Sequence, residues 1–243
     1  MRALFFTRRC MKEILRDPIN ICFGLGFPLA LLVLLSAIQT SVPVSLFEIE
    51  TLTPGITVFG MSFITLFSAT LVAKDRESAF LQRLYTTPRR SADFIVGYVL
   101  MILPFALCQT LVCYLFAALI GLDLSINVVW AILGMLPIAL FYVSLGLLCG
   151  SALGVKQVGG VCGALLTNLS AWLSGVWFDI SLVGGFFERI AKLLPFWHAV
   201  EMERALFNGN FSTALTHALP IILYTAVTMS ASLLCFLRQM KNT

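Results

Sequence analysis

Hydrophobic and polar positions along this chain fall into long alternating blocks. Six stretches carry no Asp, Glu, Lys or Arg: 19–47, 51–73, 94–122, 124–155, 157–178 and 205–237, each 22 residues or longer. A helix rises about 1.5 Å per residue and needs roughly 20 apolar residues to cross the hydrocarbon core. One charge at mid-bilayer costs on the order of 2.5–3.5 kcal/mol on insertion scales. The pattern therefore predicts an all-α integral membrane protein with six transmembrane helices, over 19–40, 53–73, 94–120, 128–153, 157–178 and 217–237 of a single domain 1–243.

The polar segments have patterns of their own. Near the start, Ala3, Leu4, Cys10, Met11, Ile14 and Leu15 share one helical arc, and Arg2, Arg8, Arg9, Lys12 and Arg16 share the other. Residues 1–18 thus read as an amphipathic interfacial helix on the inner leaflet, turning into the first span at Asp17-Pro18. Phe5 and Phe6 fit this arc less well.

Between the second and third blocks, Phe80, Leu81, Leu84 and Tyr85 recur at helical spacing among Arg76, Glu77 and Arg83, and Thr86-Thr87-Pro88 ends the run. A helix too short to cross must bury such a stripe against the inner leaflet or a cytoplasmic partner. Residues 179–210 mix Phe186, Phe187, Ile190, Leu193, Leu194, Phe196 and Trp197 with Glu188, Arg189, Lys192, Glu201, Glu203 and Arg204. That is too apolar for a free loop and too charged to cross. Short re-entrant helices in the outer leaflet, broken by Pro195 and Asn208-Gly209-Asn210, are expected there.

Composition agrees, with 59% hydrophobic and only 12% charged residues and a mean hydropathy of +0.96; soluble domains carry about 25% charge. Thirteen of the 16 basic residues fall on one side of the expected membrane, which puts both termini in the cytoplasm. All seven cysteines lie in spans or on that side, so no disulfide framework is implied. The first apolar run is too long for a cleaved leader. The nearest approach to a phosphate-binding loop, Gly150-Ser-Ala-Leu-Gly154-Val-Lys156, has the wrong spacing, so ATP chemistry would require another polypeptide.

Catalytic constellations are equally scarce. Ser174 could be paired with His217 as an intramembrane protease dyad, but no GxSxG context surrounds it. Glu201 and Glu203 cannot face each other on a helix, and with Arg204 adjacent they read as a solvated interfacial cluster. Polar residues near span centres are neutral (Ser62, Thr65, Ser68, Gln109 and Asn168), which leaves ion-driven transport without its expected groups. Gly146, Gly150 and Gly154, with Gly159, Gly160 and Gly163, form small-residue tracks for internal packing or a protomer interface.

The ordered set of features resembles permease subunits of the type-2 ABC transporter family, exporters of drugs, lipids and polysaccharides, over essentially the whole chain. It comprises the basic N-terminal helix, the six spans and Leu52-Thr-Pro-Gly-Ile56 opening the second span. It continues with the charged segment ending Leu84-Tyr-Thr-Thr-Pro88, and with Leu194-Pro-Phe-Trp-His-Ala-Val-Glu-Met-Glu-Arg-Ala-Leu-Phe-Asn-Gly209. One departure is Ser78-Ala79, where members often place Gly shortly after the Glu.

The resemblance implies a cytoplasmic coupling helix at Lys74–Pro88, with Arg76, Glu77, Phe80, Leu81, Leu84 and Tyr85 meeting a groove of the ATPase. It implies two ATPase subunits, a second permease copy (identical or not), surrounding membrane lipids and residence in the cell membrane. Nucleic acid has no place among these partners. No cofactor is expected on this chain; ATP and Mg would sit on the ATPase. Spans two and five would line the substrate path, with Met61, Phe63, Phe67, Asn168 and Trp172 as candidates. Charge-free spans favour an amphiphilic or apolar cargo: drug, lipid, peptide or glycan. The competing readings are a stand-alone secondary transporter or channel, and an intramembrane enzyme.

Overall fold

The computed structural model describes residues 17–41, 47–78 and 91–241, and among them every regular element is helical. Five apolar blocks form α1 (Phe27–Ser41), α2 (Ile49–Glu77), α3 (Ser91–Ile120), α4 (Asn127–Ala152) and α9 (Phe211–Lys241). A short helix Pro18–Ile21 and a π-helical turn Cys22–Gly26 lead into α1. Five stretches are long and apolar enough to cross a membrane: Cys22–Ser41, Ile49–Glu77, Ile95–Ile120, Asn127–Ala152 and Phe211–Arg238. They coincide with the expected first, second, third, fourth and sixth spans.

The fifth block differs from the expected single span over 157–178. It is a run of three pieces: Val155–Val158, a π-helical Gly159–Leu166, and α5 (Thr167–Leu173). Glycines disfavour regular α-helix, and Gly159, Gly160 and Gly163 supply them where the hydrogen-bond register widens. The chain leaves α5 at Ser174 and turns through Gly175, whose φ of +75° is a left-handed conformation glycine adopts without strain.

Three short helices follow: α6 (Ile180–Val183), α7 (Gly185–Leu193) and α8 (Pro195–Phe207). Asp179 caps α6 by accepting the Ser181 N–H at 2.9 Å. That contact is the main reason the Asp179 carboxyl sits below its usual range. Pro195 opens α8, where the N–H it lacks would have had no helical partner.

Helix α2 is the core of the bundle. Its most apolar window is 89% buried, against 17–50% for the other membrane-length helices. Along it runs α4, at backbone contact. A Cβ on Gly146 would stand 2.6 Å from the Thr65 carbonyl, and one on Gly150 would stand 2.5 Å from the Ala69 carbonyl. The same seam is pinned by Thr65, whose hydroxyl donates to the Tyr142 carbonyl at 2.9 Å. The first glycine track is therefore internal packing, whereas Gly159 and Gly160 face open space. On α9, Leu215, Leu219, Leu223 and Val227 form an exposed apolar stripe that lipid can cover.

The expected interfacial helix falls almost wholly in residues 1–16, outside the described residues. So does most of the expected coupling helix, in 79–90. Its first four positions, Lys74 to Glu77, are the last turn of α2, which runs on past the apolar block.

Candidate functional site

Three consecutive side chains at the C-terminal end of α2 grip three other elements. Buried Asp75 accepts the Tyr98 hydroxyl of α3 at 2.8 Å. The Arg76 guanidinium donates to the Ser151 carbonyl and, at 2.6 Å, to the Leu153 carbonyl. Glu77 Oε1 accepts the Val155 N–H at 2.8 Å. The last carbonyls of a helix and the first N–H groups of the next lack internal partners. Here a cation meets the end of α4 and an anion meets the start of the fifth stretch, each matching the local helix dipole. Of the residues singled out for coupling, Arg76 and Glu77 thus lie at this junction. Phe80, Leu81, Leu84 and Tyr85 lie outside the described residues.

The candidate path residues separate into two groups. Met61, Phe63 and Phe67 are buried inside the bundle. Phe63 packs on Phe27, Phe59 and Phe23 with ring centroids 5.3, 5.9 and 6.0 Å away, and Phe67 meets Phe105 at 6.3 Å. Asn168 and Trp172 stand instead on the open face of α5. Asn168 donates to its own helix at the Ala164 carbonyl, 2.8 Å away, and Trp172 is 60% exposed. Ala69 and Ala73 of α2 pack on Val158 and Cys162 of the fifth stretch, and Phe59 meets Trp177, just past α5, with ring centroids 5.6 Å apart.

At the opposite end, Arg204 of α8 ties three elements together. Its Nη2 donates to the Gly175 carbonyl at 3.0 Å, Nε to the Thr51 carbonyl at 3.3 Å and Nη1 to Glu201 at 3.0 Å. A cavity of about 530 Å³ lies beside it, lined by Asp179, Lys192, Trp197 and Glu201 among others. Close by, His198 and His217 approach with their Nδ1 atoms 2.9 Å apart, and the Trp197 ring lies 5.1 Å from both. Burial, and next the charge of His217, hold His198 below its ordinary range, against a hydrogen bond that the ring donates to the Lys192 backbone carbonyl.

Ser174 and His217 form no dyad: the serine hydroxyl turns to the Ala171 carbonyl at 3.4 Å, and the histidine is engaged with His198. One sequence reading is corrected here, that of Glu203. Glu201 and Arg204 make the expected partly exposed ion pair, but Glu203 is no part of a solvated cluster. It is wholly buried, with Oε1 2.9 Å from the Tyr114 hydroxyl, and Phe207 stacks on that tyrosine at 6.0 Å. The spacing of Phe196, Val200, Glu203 and Phe207 carried the signal, since it sets Glu203 on the apolar face of α8. Among the described residues no cluster of three or more metal-ligating side chains occurs.

These features define a multi-pass α-helical membrane protein organised around one buried helix. Residues 3–208 match the family described as ABC-2 type transporter, and the chain belongs to that family: it is an ABC transporter permease. Among curated proteins none matches the chain.

Proposed function

We propose that this permease is the membrane subunit of an ATP-driven exporter for an amphiphilic or apolar cargo. The reading has a second permease copy beside it and two ATPase subunits, carrying ATP and Mg, docked from the cytoplasm. The chain crosses the cell membrane six times with both termini inside, the three-piece run Val155–Leu173 serving as the fifth crossing. Supporting this sidedness are the 13 of 16 basic residues on the inner side. Helices α6–α8 re-enter the outer leaflet and close the outer side. Exposed Leu182, Val183, Phe186 and Leu193 give them an apolar surface suited to lipid.

The observation that carries the reading is the grip of Asp75, Arg76 and Glu77 on α3, α4 and the fifth stretch. In the mechanism, ATP closes the ATPase pair and displaces the 78–90 segment. A rigid corner at its root passes that displacement to three crossings at once, biasing a bistable bundle. Burial of Met61, Phe63 and Phe67 favours Asn168 and Trp172 as the residues of this set that meet cargo directly.

The test is co-purification. The wild-type chain should bring down an ABC ATPase, and Leu84→Asp should insert normally yet lose it. A membrane-impermeant thiol reagent should reach a cysteine placed at 86 only from the cytoplasmic side. Normal ATPase capture by Leu84→Asp, or labelling of position 86 from outside, would overturn the coupling assignment.

A further inference from the structure

Glu203 is the buried ionisable group for which the transport reading has no use. Its Oε1 meets the Tyr114 hydroxyl at 2.9 Å, and its Oε2 has no protein partner among the described residues. The outer ion pairs there are Lys192–Glu188 and Arg204–Glu201, and Glu203 belongs to neither.

The elements packed around α8 supply no compensating cation. From α3 come Tyr114 and its buried neighbour Cys113. Helix α2 presents Thr57, and its acidic Glu50 lies at the helix end. On α4, Tyr142 is bonded to Ser170, and on α9 His217 is bonded to His198 and Tyr224 to the Leu193 carbonyl. Helix α7 carries Glu188, Arg189 and Lys192, and α5 has no titratable residue. Arg204, next in the chain, is committed to Gly175, Thr51 and Glu201.

A carboxylate with one hydrogen bond and no counter-ion is strongly disfavoured away from water. A neutral acid is not, because its O–H can donate to Tyr114, which can turn its own proton toward Thr57. Burial accordingly raises the Glu203 carboxyl from 4.5 to about 8, with the Tyr114 contact opposing weakly.

We propose that Glu203 is a proton-binding site of the outer layer, neutral while α8 is packed on α3 and ionised when α8 lifts and water enters. On opening, the carboxyl O–H bond breaks, its electron pair stays on the carboxylate and the proton passes to water; closing reverses the step. The proposal rests on the reading of α6–α8 as the outer closure. The closed form holds the proton more tightly, so acid favours closure. That preference declines as pH rises from about 4.5 to about 8 and is gone above it.

The experiment uses the full chain in lipid nanodiscs. Infrared spectra at neutral pH should show the carbonyl stretch of a protonated carboxylic acid. The band should be lost in Glu203→Gln, displaced in Tyr114→Phe and titrated away in alkali. Identical wild-type and Glu203→Gln spectra in that region would overturn the proposal. Hydrogen exchange of the α8 amides, corrected for intrinsic rate, should quicken severalfold at alkaline pH in wild type and stay flat in Glu203→Gln. Equal quickening in both would also overturn it. Neither readout depends on ATPase capture, so failure of the exporter reading is distinguishable from failure here.

Discussion

Glu77 accepts the backbone N–H of Val155 at 2.8 Å, joining the end of the second span to the start of the fifth stretch across 78 positions of sequence. With Arg76 on the carbonyls of Ser151 and Leu153, it ties the corner between α4 and the fifth stretch to the end of α2. Hydrogen bonds to charged groups contribute about 1.5–3 kcal/mol, and less at an exposed site such as this. Glu77→Ala is expected to keep ATPase binding but lower cargo moved per ATP severalfold. Glu77→Gln, which retains an acceptor oxygen, should keep most of it. Paired transport and hydrolysis assays in liposomes decide this; wild-type coupling in Glu77→Ala would refute the inner grip.

The α2–α4 seam makes an opposite pair of predictions for two glycines. A Cβ at Gly150 meets the Ala69 carbonyl at 2.5 Å and Val72 Cβ at 2.8 Å, neither of which can swing aside. Overpacking of this kind costs about 1–3 kcal/mol, or roughly 2–4 °C of melting temperature per kcal/mol at this chain length. Gly160 lies in a helical stretch and faces open space, so Gly160→Ala should melt no lower than wild type and up to a few degrees higher. Thermal melts of the detergent-solubilised protein compare the two, and equal shifts would mean the seam is not this tight.

The long helices were legible because a crossing depends on length and charge alone, both visible in one dimension. The π-helical register of the fifth block was not legible for the same reason: Gly159 and Gly160 count as apolar in a window, yet they loosen the helix they are counted in. Glu203 was misread from its neighbours Glu201 and Arg204, although its three-and-four spacing to Val200 and Phe207 pointed inward. No spacing could have revealed the carbonyls that Arg76 finds, 75 and 77 residues away. Nor could it orient Met61, because a helix enclosed on nearly every side has no apolar period to read.

Arg204 should tolerate no other cation. Three of its donors go in fixed directions to Gly175, Thr51 and Glu201, a fork that the single ammonium of lysine cannot reproduce. Arg204→Lys keeps the charge but loses the donors aimed at the Gly175 carbonyl and at Thr51 in the first turn of α2, at about 1.5–3 kcal/mol for a charge-assisted bond and less where it is exposed. Hydrogen exchange should quicken over 174–185 and at the start of α2, with the corner at 151–155 unchanged. A wild-type exchange pattern in Arg204→Lys would show that charge alone suffices at this corner.

The His198–His217 contact sets an acid limit on the same end of the bundle. At an Nδ1–Nδ1 separation of 2.9 Å one ring must donate and the other accept, so both cannot be protonated on their facing nitrogens. Burial and His217 hold His198 below 6.5, so the unfolded chain binds this proton more readily than the folded one. Stability is therefore indifferent to this site above about pH 6.5 and is lost as pH falls below it. Protonation of Glu203 acts in the other direction, which makes the wild-type curve alone ambiguous. The difference between wild type and His198→Gln isolates the pair, because Gln can donate or accept but cannot titrate. Melting temperatures followed from neutral to acid pH should fall faster in wild type than in His198→Gln. Parallel curves would mean that the two rings separate or share no proton in the membrane.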